Sequence, residues 1–181
     1  MVLTANEAWA KRIRHLSTQA KKDPFTYEHD EVGYNYRLTN VQAAMGVAQL
    51  EQLSEFLARK RAIAKRYEEL LQGFSQARFL SESPDVISNL WLPPLKVSAK
   101  QREPLLQYLN KNSVQARPVW KLIHTAPMYE SCPRYGDLQG ANEVFNTCIN
   151  IPFGVNLNDE DLEYVVQQIR NYFNDVHSSE L

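Results

Sequence analysis

In the stretch Gly33 to Ala44, Asn35 and Arg37 alternate with Tyr34 and Tyr36. On extended backbone the two polar side chains then share one face and the two rings share the other. Thr39 followed by Gln42 matches a capping box, so a helix should open directly behind this strip. An amide and a guanidinium beside a helix N-terminus suit an anionic ligand, because free backbone N–H groups and the macrodipole favour negative charge there. The same residues also read as a polar linker that merely caps a helix.

Arg117, Trp120 and His124 form a second group. An arginine near an indole suits a phosphate together with a sugar or base face. In the competing reading Trp120 belongs to the core and His124 bonds locally. His29, in Tyr27-Glu28-His29-Asp30, has no second histidine at ligand spacing, so no metal is assigned. No Walker-type phosphate loop, Gly-x-Ser-x-Gly elbow or paired Cys-x-x-Cys motif is present.

The elements that must position these groups follow from periodicity. Met1-Val2-Leu3 is apolar and strand-like, and Thr4 with Glu7 gives a further capping-box pattern ahead of Ala8, Trp9, Ile13 and Leu16. Lys21 to Tyr36 lacks a sustained period and reads as a long loop, a kind that is often functional. Asn40 to about Gly73 reads as one long helix of roughly 45 to 50 Å. Its apolar residues (Val41, Ala44, Met45, Ala48, Leu53, Phe56, Leu57, Ile63, Tyr67) are expected mainly in the core, with part of the helix against another subunit or domain. Glu55, Glu68 and Glu69 offset the nearby cations Arg59, Lys60, Arg61, Lys65 and Arg66, which makes a solvated face rather than a nucleic-acid patch.

Ala77 to Leu80 and Asn89 to Val97 read as strands, the second limited by Pro93-Pro94. Ser98 with Gln101 predicts a capping box opening a helix through Leu105, Leu106 and Leu109. Val114 to Trp120 reads as a strand, Asn158 to about Phe173 as a helix with an apolar stripe, and His177 to Leu181 as a fraying tail. The expected fold is α+β, a small mixed or antiparallel sheet covered by helices, one of them long.

Lys and Arg total 20 against 21 Asp and Glu, for a formal net charge of −1. No global field would recruit nucleic acid or an anionic membrane, so phosphate recognition must be local. Cys132 and Cys148 lack metal-like spacing, and no apolar leader or membrane span is visible. A reduced, cytoplasmic protein is expected, although two cysteines leave one disulfide conceivable.

The segment Gly33 to Ala44, continued by Gly46-Val47-Ala48-Gln49-Leu50-Glu51-Gln52-Leu53, resembles the DegT/StrS-type family of pyridoxal-phosphate-dependent aminotransferases that act on nucleotide-linked keto sugars. Leu16-Ser17-Thr18-Gln19-Ala20-Lys21 with Tyr27, His29 and Asp30 resembles the perosamine and legionaminic branch. Arg117-Pro118-Val119-Trp120, His124 and Ile149-Asn150-Ile151-Pro152 fit the later pattern. A complete member is about twice this length, so the chain resembles the C-terminal part of a fold type I transferase. Residues 1–39 would be a remnant of the large domain plus an active-site loop, and residues 40–181 the long helix and small domain.

The resemblance implies that Asn35 contacts the cofactor phosphate across a homodimer interface. It further implies that Arg37 meets the substrate diphosphate, with Arg117, Trp120 and His124 near the nucleotide sugar. The family's Schiff-base lysine falls before Met1, so no catalytic residue is assigned. A transaminase needs that lysine to hold the cofactor and move a proton, so the chain alone is expected to be inactive and without bound cofactor. Its implied partners are a second copy, the missing N-terminal large domain, a nucleotide-sugar substrate and an amino donor such as glutamate. The alternative of different class is a non-catalytic dimerisation or interaction module derived from the family.

Overall fold

The computed structural model describes residues 2–80, 82–83 and 85–179. Met1, the first residue of the expected opening strand, lies outside them, as do Glu180 and Leu181 of the expected tail. The chain divides into two compact units, Met1–Gln52 and Leu53–Leu181.

The first unit contains α1 (Glu7–Ser17) and α2 (Asn40–Glu51), joined by a long irregular loop. The expected cap of α1 is displaced by two residues. Asn6 is the N-cap, accepting from the Trp9 amide at 3.1 Å, while the Thr4 hydroxyl accepts from the Asn6 amide. Val2 and Leu3 are exposed and not in a strand. Neither helix buries a residue: Trp9, Val41, Met45 and Leu50 are all well exposed, which overturns the core assignment for this half of the long periodic stretch.

That stretch is also interrupted. In a continuous helix the Gln52 amide would donate to the Ala48 carbonyl. Here the Gln52 side-chain Nε2 takes that carbonyl at 3.0 Å, while the backbone N–H turns to Gln49 at 3.3 Å. A side-chain amide competing for the ladder is a recognised cause of a local break. Helix resumes as α3 (Leu53–Leu70), and Gly73, at φ +75°, lies in the left-handed turn that follows it.

The second unit continues with β1 (Ala77–Phe79), β2 (Leu95–Val97), α4 (Ala99–Lys111), β3 (Arg117–Pro118), α5 (Gln139–Thr147), β4 (Cys148–Asn150) and α6 (Asp159–Ser179). Its sheet is antiparallel in the order β1-β2-β4-β3. Residues of β4 are all buried, as a central strand covered on both faces requires. β2 begins only after Pro93-Pro94, whose missing N–H groups cannot join a ladder. The expected strand from Val114 shrinks to Arg117–Pro118 because the Val114 amide is spent on the Leu109 carbonyl at the end of α4.

Ile63 and Tyr67 of α3, Leu105 and Leu109 of α4, Leu95, Ile149, Leu162 and Ile169 are fully buried in one core. Tyr67 anchors it: its hydroxyl donates to the Pro152 carbonyl at 2.8 Å, and its ring stacks with Phe79 and Phe153. Burial raises its phenol pKa. The Ser98–Gln101 capping box does not form, because the Gln101 side chain accepts the Tyr172 hydroxyl instead. Asn158 and Asp161 do exchange reciprocal bonds of 3.0 and 2.8 Å at the start of α6. Cys132 is exposed and Cys148 buried, both as free thiols.

Candidate functional site

The strip carrying Asn35 is held extended against the end of α1. The Tyr34 amide donates to Leu16 at 2.7 Å, the Gln19 amide to Tyr34 at 3.1 Å, and the Tyr36 amide to Ser17 at 3.0 Å. Tyr34 and Tyr36 stack with centroids 5.3 Å apart, so the rings share one side as alternation requires. Asn35 and Arg37 are exposed, and neither side chain has a hydrogen bond or ion pair among the described residues. Their donors are available to a ligand. Thr39 and Gln42 close the capping box that opens α2.

This strip depends on a close backbone approach. A Cβ on Gly33 would overlap the backbone of Gln19 and Ala20. Gln19 and Ala20 themselves take left-handed φ of 68° and 50°, a conformation non-glycine residues adopt only when surroundings impose it. His29 is part of that scaffold, its Nδ1 2.6 Å from the Gln19 carbonyl. His15, Asp30 and Glu31 place potential ligand atoms within 4.8 Å of one another. Arg12 engages both oxygens of Glu31 in an ion pair, and His15 Nε2 lies 2.7 Å from Asp30, so these contacts tie α1 to the loop. The His15 contact holds the Asp30 carboxyl below its usual range.

In the second unit the structure brings Arg117 and Trp120 together. Arg117, on the edge strand β3, pairs in register with Asn150, and both line a cavity of about 310 Å³ with Trp120 and Phe153. His124 sits half-buried in a short 3-10 helix, Ile123–Thr125, and lines neither this cavity nor the neighbouring one. Its carbonyl accepts from Arg134 at 3.1 Å. Trp120 is exposed rather than core, and stacks on Trp91 at 5.2 Å.

The sequence pattern by itself does not mark Trp91 or Asn150 as a site residue. Asn150 interrupts the apolar run Ile149–Ile151, and a polar residue within a buried strand was the available signal. Trp91 is placed by Lys60, whose ammonium donates to the carbonyls of Trp91 at 3.0 Å and Phe153 at 2.6 Å. Burial lowers the Lys60 pKa. No helix among the described residues is long and apolar enough to cross a membrane.

The sequence pattern of the DegT/DnrJ/EryC1/StrS aminotransferase family matches residues 1–170. GDP-perosamine synthase of Escherichia coli O157:H7 is 34% identical over 176 residues, covering 97% of this chain and 47% of that protein. EpsN of Bacillus subtilis, provisionally named a pyridoxal phosphate-dependent aminotransferase, is 31% identical over 180 residues, covering 97% and 46%. The solved structure of Helicobacter pylori PseC, an aminotransferase involved in pseudoaminic acid biosynthesis, superposes with a TM-score of 0.79 at 21% identity, over 95% of this chain and 48% of its own. The chain thus spans about half the length of the curated relatives it matches.

Proposed function

The chain belongs to the DegT/DnrJ/EryC1/StrS aminotransferase family, and from that premise we propose that it forms the C-terminal portion of a cytoplasmic pyridoxal-phosphate-dependent aminotransferase acting on a nucleotide-linked keto sugar. The observation that carries this reading is the Asn35 strip: two ligand-type side chains, without a side-chain partner among the described residues, on backbone pinned at a capped helix start. On this reading residues 1–39 are a remnant of the large domain with the active-site loop, and residues 40–181 form the helical span and small domain. Names borne by relatives, GDP-perosamine synthase among them, support the substrate class.

Pyridoxal phosphate, when bound, supplies the electron sink for exchanging an amino group, from a donor such as glutamate, for a carbonyl oxygen. This chain's residues serve binding and orientation. Asn35 offers an amide N–H to the cofactor phosphate of a partner subunit in a homodimer. Arg37, with its fixed fork of donors, holds the substrate diphosphate. Arg117 and Trp120 meet the nucleotide portion, and His124 completes that region from its 3-10 helix. No residue of this chain is assigned the Schiff-base role.

The exposed apolar residues Val41, Met45 and Leu50 of α2 favour a second reading, a non-catalytic dimerisation module. Mixing the chain with a separately produced N-terminal half of a family member tests both. Visible absorbance of protein-bound cofactor and amino transfer to a nucleotide keto sugar are expected. A stable complex that never acquires either would leave the module reading in place.

A further inference from the structure

The end of the sheet edged by β1 holds a cavity of about 360 Å³ that shares no lining residue with the cavity at Arg117 and Trp120. Arg78 of β1 lies directly opposite Lys96 of β2, and both line it. Like charges placed opposite each other across an antiparallel pair repel. Lys96 is half-buried and ion-paired with Glu143 of α5. The Arg78 guanidinium has no hydrogen bond or ion pair among the described residues, and no described aspartate or glutamate lines the cavity. The amides on its wall are biased towards donation: the Gln101 oxygen accepts the Tyr172 hydroxyl, and the Gln76 oxygen accepts the Ser75 hydroxyl at 3.4 Å. Each amide nitrogen is left without an acceptor among the described residues. Val97, Phe173 and Val176 supply an apolar wall.

We propose that this cavity is a second anion site, separate from the substrate contacts proposed above, that takes a phosphate monoester carried on a small apolar body. The phosphate oxygens meet the Arg78 fork, the amide nitrogens of Gln76 and Gln101, and Lys96. The apolar body lies against Phe173 and Val176. The wall selects by what it lacks. A cation would meet Arg78 and Lys96 with no described carboxylate on the wall, and a neutral sugar has hydroxyls that need acceptors as well as donors, while the amide oxygens are taken. A carboxylate fills one fork with its pair of oxygens, whereas a phosphate brings a third oxygen to a wall of donors. Ser98, at the start of α4, makes no cap bond, so the first amides of that helix favour the same charge. A bound dianion also offsets the repulsion between Arg78 and Lys96. The site does not depend on amino transfer.

The test is a titration of the 181-residue chain, read by ¹H–¹⁵N NMR at the Gln76 and Gln101 side chains and the Arg78 and Val97 backbone amides. The probes are phenyl phosphate, inorganic phosphate, benzoate and phenol. Phenyl phosphate is expected to shift these signals at millimolar concentration, binding about tenfold more tightly than inorganic phosphate because its ring buries apolar surface. Benzoate should bind more weakly than phenyl phosphate, and phenol should leave the signals unmoved. Arg78→Gln should weaken phenyl phosphate about tenfold or more. Its melting temperature should be unchanged or raised, because the charge it removes opposes Lys96, which separates lost binding from lost folding. Arg78→Lys, which keeps the charge without the fork, should recover only part of the affinity. The proposal is overturned if phenyl phosphate moves none of these signals, if inorganic phosphate, benzoate or phenol matches it, or if Arg78→Gln binds like the parent. Shifts confined to the Trp120 and Asn150 side chains would place the anion in the other cavity and overturn it equally.

Discussion

Lys60 is bound twice to Phe153: its Nζ donates to the Phe153 carbonyl at 2.6 Å and lies 4.7 Å from the centroid of the same residue's ring. A third contact, to the Trp91 carbonyl, ties two loops to α3. Lys60→Met keeps the apolar stem but removes the charge and its donors. We expect a loss of about 2 kcal/mol in urea unfolding, the scale of charged hydrogen bonds. Trp91 fluorescence should shift towards that of a solvated indole, and an unchanged spectrum would mean that the loop is held by other contacts.

Two glycines make opposite predictions. Gly33→Ala forces a Cβ into the backbone of Gln19 and Ala20. Neither neighbour can retreat cheaply, because both already sit at positive φ. We expect about 2 to 4 kcal/mol of destabilisation, seen as faster proteolysis within residues 18–37. Gly46→Ala, in the interior of α2 with no described atom beyond its own turns of helix backbone within 4 Å of the added methyl, should be neutral or stabilising by about 0.5 to 1 kcal/mol.

Much of the fold was legible in the sequence because apolar spacing and packing agree there. The stripe Leu162, Val165, Val166 and Ile169 is buried in α6, and Leu105, Leu106 and Leu109 are buried in α4. The interruption at Gln52 was not legible, since it depends on one side-chain amide displacing a backbone donor and leaves the hydrophobic pattern unbroken. The same limit applies to capping: Thr39-x-x-Gln42 forms its box, while Ser98-x-x-Gln101 loses its glutamine to Tyr172, a residue far along the chain. β4 escaped because three residues are too few to show a period, and Arg117 and Trp120 were read together without the Trp91 and Asn150 that surround them.

Acid should weaken specific ties. Glu82 accepts Arg61 at 2.8 Å and the Ser88 amide at 2.6 Å, and these bonds, the Arg61 one first, hold its carboxyl below the ordinary value of 4.5. A carboxylate with a depressed folded pKa contributes stability that is present above its unfolded pKa and lost as pH falls through the folded one. Asp30, lowered chiefly by His15, adds to the same window, below its ordinary 3.8. Unfolding free energy should therefore fall as pH drops from about 5. Glu82→Gln should flatten that slope; an unaltered slope would show that the Arg61 pair contributes nothing measurable.

Asn35 and Arg37 are adjacent in one strip yet should fail differently in a complete enzyme carrying this segment. Neither side chain has a partner among the described residues, so truncation should spare the fold and remove only what the side chain does for a ligand. Asn35→Ala is expected to weaken retention of pyridoxal phosphate, read by dialysis and cofactor absorbance, with little change in substrate KM. Arg37→Ala should raise the KM for the nucleotide sugar while retaining cofactor. Each lost charge-assisted contact is worth roughly 1.5 to 3 kcal/mol, about a ten- to hundredfold change. Because stacked Tyr34 and Tyr36 hold the strip from the other side, neither substitution should disturb its neighbour. Equal and negligible effects on both quantities would remove the strip from the active site.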